Sequence, residues 1–209
     1  MPEEAGPFRR LRLPGIRVLV TGMGQGAARQ AVEAEFARGA EYDLVLTCGF
    51  CGALAPELRR GTVLLSDDSD AEMLSIGKTE GIGAGRFHCA EAVATTGEMK
   101  AMLRKETSAD VVEMESGVVA EICRRRGTRV ATVRVVSDEA DEDLPLDFNK
   151  LITRRGGIHF GRLAFEVARR PRMISELMRL QKRTREAAGE LAKVLERLLV
   201  RLRIGNQSP

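Results

Sequence analysis

Two apolar runs, each ending in carboxylates, constrain this chain more than any other feature. They are Val111-Val112-Glu113-Met114-Glu115-Ser116 and, about twenty residues on, Val130 to Val136 followed by Ser137-Asp138-Glu139-Ala140-Asp141. β-Branched runs of this length bounded by charge read as buried strands. Residues 116–126 between them read as a helix stopped by Gly127. Such a strand–helix–strand unit predicts that Glu115 and Asp138 reach the same edge of a parallel sheet, where open α/β proteins hold ligands. Carboxylates at strand ends are costly unless solvated or paired. One alone is as well explained by helix capping; an ordered pair points to chemistry.

The rest of the chain repeats the alternation. Residues 16–21 form a short β-branched run closed by Gly22-Met23-Gly24-Gln25-Gly26, and residues 27–38 follow with helical periodicity. Residues 43–48 and 62–66 read as strands, 67–85 as a polar loop, 92–95 as a short strand and 98–105 as a helix. The resulting fold class is α/β: three layers, a mostly parallel central sheet with helices on both faces, plus basic C-terminal helices. Those helices, 158–170 and 173–203, are separated at Pro171, and Leu191, Leu195, Leu198 and Leu202 form one apolar stripe.

Charge divides the chain at the same place. Residues 150–209 hold 15 Lys/Arg against 5 Asp/Glu, a balance of +10, which leaves −7 for residues 1–149. The organisation expected is therefore an acidic catalytic domain, 1–149, and a basic helical extension, 150–209. No apolar run reaches the roughly 18 residues a membrane span needs, and the first fifteen residues lack a signal-peptide centre. Four cysteines without a disulfide-like layout fit a reducing compartment, so the expected location is cytoplasmic. Few aromatics and no reader motif speak against nucleic acid as a partner.

Several motifs need weighing. Gly22-Met23-Gly24-Gln25-Gly26-Ala27 fits a dinucleotide fingerprint, but the following strand ends in Thr47-Cys48-Gly49, without the acidic residue that would hold a ribose. Its exposed N–H groups suit an anion or a polarised water. Cys48-Gly49-Phe50-Cys51 has redox-motif spacing, yet Gly52, Pro56 and Gly61 follow, so no long helix begins there to lower a thiol pKa. Zinc would need two further ligands, and His88, Cys89, Cys123 and His159 are scattered. No metal and no cofactor are implied.

The Glu-Met-Glu-Ser helix start, followed by a strand ending Arg134-x-x-Ser137-Asp138-x-Ala140-Asp141, resembles the nucleoside phosphorylase and nucleosidase superfamily, closest in pattern to hopanoid-associated phosphorylases. The stretch 47–61 is similar to that superfamily's glycine turn, and the loop at Gly24 to the one lying under the ribose. The resemblance implies cleavage of the N-glycosidic bond of a purine nucleoside or a 5′-modified relative. Asp138 would act as general acid toward purine N7, placed by Ser137. Glu115 would accept from the ribose hydroxyls while Met114 packs on the sugar. Glu113, Gly24, Gly49, Phe50 and Val93 would line the substrate site. Glu4 falls where nucleosidases orient the attacking water. The strand before Glu4 is missing, so either the natural start lies upstream of Met1, the reading preferred, or the chain lacks a central strand and is impaired. A carboxyl that gives up a proton near neutrality needs apolar surroundings, expected from Val135 and Val136.

One departure bears on the nucleophile. Phosphorolytic members keep an Arg and a Ser for phosphate where this chain has Thr47 and Phe50, so the charge-assisted bonds phosphate needs are absent. Hydrolysis is the reading preferred; phosphorolysis and noncatalytic nucleoside binding remain as alternatives. The partners expected are a small nucleoside, a second copy of the chain, and a peripheral membrane contact through the basic helices.

Overall fold

The computed structural model describes Gly6 and residues 15–153, 156–170 and 173–205. Its centre is a six-stranded sheet of β1 (Leu44–Ala53), β2 (Val63–Ser66), β3 (Gly83–Gly85), β4 (Phe87–Cys89), β5 (Val111–Glu113) and β6 (Arg129–Asp138). The order across it is β3-β2-β6-β1-β5-β4. The helices are α1 (Gln25–Ala37), α2 (Ala71–Thr79), α3 (Gly97–Thr107), α4 (Ser116–Arg125), α5 (Phe160–Arg169) and α6 (Met173–Gly205), with a 3-10 turn at Phe148–Lys150.

The long strands β1 and β6 run parallel from Leu44↔Arg129 to Cys51↔Val136. Successive side chains point to opposite faces, and β6 is buried without a break from Ala131 to Val136, so the sheet is covered on both faces. On one face α1 and α4 bring Ala28, Val32, Phe36, Val118, Val119 and Ile122 against Val45 and Val130. On the other, α2 and α6 bring Met73, Leu191, Leu195 and Leu198 against Leu65, Val133 and Val135. Three of the four leucines of the C-terminal stripe are thus fully packed on the body of the protein, with Leu202 partly buried beside them. No helix among the described residues is long and apolar enough to cross a membrane.

The sheet is mixed. β1 pairs with β6 in parallel, as do β2 with β3 and β4 with β5, but β5 is antiparallel to β1 and β2 is antiparallel to β6. This revises the picture drawn from sequence for Glu115 and Asp138. They do not leave adjacent parallel strands at one edge. β1 lies between them, and Val112 faces Gly52, which in turn faces Asp138 across a slip in register after Cys51. β5 therefore delivers its glutamates back along β1, toward the level of Arg134.

Other expectations change too. Residues 16–21 form no strand among the described residues; β1 is already flanked on both sides, and the edge strands β3 and β4 are three residues long. Residues 92–95 form no strand, because the Val93 N–H and C=O are bonded to the side chain of Asn149. The supposed loop 67–85 contains α2 and β3. Asp70 caps α2 by accepting from the N–H groups of Glu72 and Met73, which anchors a helix whose inward contacts are few but close. Met73 is wholly buried, and Gly77 lies so near Leu65 that a Cβ would meet it at 2.2 Å. So short an apolar stripe gave little periodicity to read.

Candidate active site

The ends of β5 and β6 and the glycine turn before α1 meet over β1. Glu113 closes β5 and is 4 % exposed. Its Oε2 accepts from Arg134 Nη2 at 2.7 Å and from the N–H groups of Glu115 (2.9 Å) and Ser116 (2.8 Å), while Oε1 accepts from Ser116 Oγ at 2.6 Å. Burial pushes this carboxyl upward; the charge of Arg134 and the three donors from the start of α4 outweigh it and hold it below its ordinary value. Arg134, 1 % exposed, also donates to Thr47 Oγ1 at 2.9 Å. Glu113 is thus committed to internal partners, among them the main-chain N–H of the residue two places on.

That residue is Glu115, at the N-cap position of α4. Its Oε1 accepts from the Gly24 N–H at 2.7 Å, and Arg134 Nη2 lies 3.8 Å from its other oxygen. Gly24 itself caps α1 at φ 86°, a left-handed conformation that puts its N–H toward the glutamate. Met114 closes the same corner, its Cε 3.7 Å from where a Gly24 Cβ would stand. The far side of the turn is clasped by a segment that sequence did not connect to it: Met23 N donates to Gly156 O at 3.0 Å. A Cβ at Gly156 would stand 2.7 Å from Met23 backbone and from Ala27.

Asp138 ends β6 and is 6 % exposed. Ser137 Oγ lies 2.6 Å from its Oδ1 and 3.1 Å from Cys51 O, so one hydroxyl proton can turn to either acceptor. Its Oδ2 is ion-paired with Lys100 Nζ at 2.6 Å. Asp138 therefore faces an ammonium rather than the apolar walls expected from Val135 and Val136; Val135 points to the opposite sheet face, in the core with α6. Gly52 makes room, since a Cβ there would come within 3.0 Å of Asp138 Oδ2. The loop after β6 is held in turn: Arg60 Nε donates to Ser137 O at 2.9 Å, Arg60 and Arg183 both pair with Glu142, and Arg59 pairs with Glu139.

Of the residues proposed from sequence, Gly24, Glu113, Met114 and Glu115 form one cluster and Ser137 and Asp138 the other, with β1 between. Gly49 lies buried in β1 at the register of Arg134. Phe50 does not join them: it packs into the core with Val133 and α6, because neighbouring strand residues point to opposite faces. Val93 contributes only its backbone bonds to Asn149 in the described contacts. Glu4 lies outside the described residues. Cys48 and Cys51 stand three apart on one strand and so face opposite ways; Cys51 is buried, and burial pushes its thiol up, which leaves no redox pair. Sequence reasoning missed Lys100, Arg134 and Gly52. Lys100 carried no local signal, being one of several charged residues on a helix that is mostly exposed.

Comparison with known proteins bears on the same residues. Residues 82–169 match the family model described as phosphorylase superfamily. A 5′-methylthioadenosine/S-adenosylhomocysteine nucleosidase of Shewanella halifaxensis is 24% identical over 181 residues, covering 69% of this chain and 78% of that protein. The corresponding protein of Shewanella putrefaciens is 27% identical over 180 residues, with the same coverage. Among solved structures, futalosine hydrolase of Helicobacter pylori superposes with a TM-score of 0.66 at 17% identity, covering 96% of this chain and 94% of that one. The 5′-methylthioadenosine/S-adenosylhomocysteine nucleosidase of Neisseria meningitidis, in complex with methylthio-immucillin-A, gives 0.68 at 17% identity and 95% coverage of both.

Proposed function

We propose that this chain, a relative of the phosphorylase superfamily, is an enzyme that hydrolyses the N-glycosidic bond of an adenine nucleoside or a 5′-modified adenine nucleoside. The observation that carries the reading is the pair of carboxylates over β1, one held by a main-chain N–H and the other by a hydroxyl and an ammonium. Breaking C1′–N9 leaves a cationic sugar and a purine that must take up negative charge or a proton. Glu115, fixed by Gly24 N–H, accepts from the ribose hydroxyls and places negative charge beside the oxocarbenium-like sugar. Met114 packs against the ring. Asp138 gives a proton to purine N7, and Ser137 turns from Asp138 to Cys51 O when that carboxyl is protonated. Glu4 is the residue that the resemblance assigns to orienting water.

Water is favoured over phosphate by two placements. Thr47 is occupied by Arg134, and Phe50 is turned into the core, so neither presents an anion-binding group. The deciding assay measures adenine release from adenosine, methylthioadenosine and adenosylhomocysteine with and without phosphate. Free sugar under both conditions supports the reading; sugar 1-phosphate as main product overturns hydrolysis, and no adenine release overturns the activity.

The reading extends to a cytoplasmic enzyme that works at a membrane surface. Phe160, Phe165, Ile174 and Met178 are exposed on α5 and the first turns of α6, amid Arg162, Arg169, Arg170 and Arg179. Apolar side chains among arginines suit an anionic leaflet. Sedimentation with anionic liposomes at low salt tests this, and concentration-dependent mass without liposome binding would assign the face to a second copy instead.

A further inference from the structure

A wholly buried lysine stands behind the carboxylate that the hydrolysis reading makes the acid. Lys100 is 0% exposed on α3, and its ammonium has three acceptors: Asp138 Oδ2 at 2.6 Å, Glu139 O at 2.6 Å and Glu142 O at 2.8 Å. All three N–H groups are used, so the cation is fixed in place before any substrate arrives. Burying an ammonium costs several kcal/mol unless paired, and the core around Leu103 could have taken an aliphatic residue at this position. Neither the loop nor the helix needs the charge: the 139–142 loop is already tied by Arg59, Arg60 and Arg183, and α3 is capped by Thr96.

Resting on the function proposed above, we infer that Lys100 is a positioning residue for departure of the purine, stabilising the carboxylate that Asp138 becomes once N7 has taken its proton. The C1′–N9 bond breaks and its electron pair goes to the purine. The Asp138 O–H proton passes to N7, and the negative charge left on Asp138 falls beside Lys100. Attack of water at C1′ releases a proton that reloads Asp138, so the cycle closes without another reactant. The attraction between Lys100 and Asp138 is weak while Asp138 is protonated and grows as the proton leaves. It is therefore stronger in the transition state than in the Michaelis complex, the condition under which an interaction raises kcat rather than affinity. The 2.6 Å contact already present in the ligand-free protein places Lys100 where that charge develops.

The test compares two leaving groups on the same sugar. Adenine must be protonated to leave; p-nitrophenolate leaves unaided. Lys100→Met should lower kcat on the adenine nucleoside roughly a hundredfold, a usual loss for one preorganised stabilising group, with KM little changed. The loss on the matching p-nitrophenyl riboside should be at least about tenfold smaller. A merely structural lysine would reduce both alike, so equal losses overturn the inference, as does a faster adenine reaction. Should Lys100→Met not fold, as read from its melting transition, Lys100→Gln carries the same comparison and the same ratio decides. Wild-type protein that cleaves neither substrate would sink the hydrolase reading itself, and this inference with it.

Discussion

Glu113 and Asp138 are both buried carboxylates beside a buried cation, yet their surroundings differ in kind. Glu113 accepts from Arg134, a serine hydroxyl and two main-chain N–H groups, and all of these belong to rigid elements. Asp138 accepts from a hydroxyl with a second acceptor 3.1 Å away and from a lysine anchored to a loop. The first arrangement can only hold; the second can let a proton go and accept one back. On the function proposed above, the freedom of their donors separates two carboxylates of similar burial into a scaffold and a reagent.

The comparison breaks most visibly at the reagent. Asp138→Asn keeps an oxygen for Lys100 but has no proton to cycle, so kcat should fall by about two to four orders of magnitude with near-normal melting; an unchanged rate on every nucleoside would end the assignment. At the scaffold the loss should appear as stability. Glu113→Gln leaves buried Arg134 with only the more distant Glu115 as counter-charge, an imbalance that should cost up to about 3–5 kcal/mol in urea unfolding. Since Glu113 is held below its usual 4.5 in the folded protein, its contribution is present above that value and is lost as the medium is acidified through the lower folded value. Acid unfolding of wild type should therefore steepen below about pH 4.5, and the Glu113→Gln protein should lack that step.

Between the two lies Glu115. Glu115→Gln should cost about 1.5–3 kcal/mol of ribose binding, seen as roughly ten- to hundredfold poorer kcat/KM on ribosides and a smaller loss on 2′-deoxyribosides. Equal losses on both sugars would move Glu115 into the scaffold. The mildest loss of activity is expected of Gly24→Ala, which forces a side chain into backbone at φ 86° and ψ 160°, a region held almost only by glycine, at a cost of about 1–3 kcal/mol. It should raise KM by loosening Glu115 and leave the N7 proton step alone, which a kcat and KM measurement separates.

How much of this was legible depended on whether a signal was local. The strands β1, β5 and β6 and the helix α4 were readable because apolar runs bounded by charge or glycine leave few alternatives. Glu115 and Asp138 could be singled out for the same reason, as charges at the ends of those runs, whereas Ser137 was named from the family resemblance. Strand direction was not readable: three residues of β5 pair equally well either way, and only the assembled sheet fixes them antiparallel to β1. Lys100 was hidden because a lysine on a charged helix is ordinarily solvated, and its partner lies across the sequence on β6. Phe50 was misassigned because motif position says nothing about which side of a strand a residue faces.

The packing of α6 on the sheet also sets an order in time. Leu65, Val133 and Val135 belong to strands made before α6, while Leu191, Leu195 and Leu198, which cover them, emerge afterwards. Until then the nascent chain presents a broad apolar sheet face, the kind of surface that recruits chaperones or other unfinished chains. The yield of this protein in a cell should therefore depend less on its final stability than on how soon α6 is released to close over what preceded it.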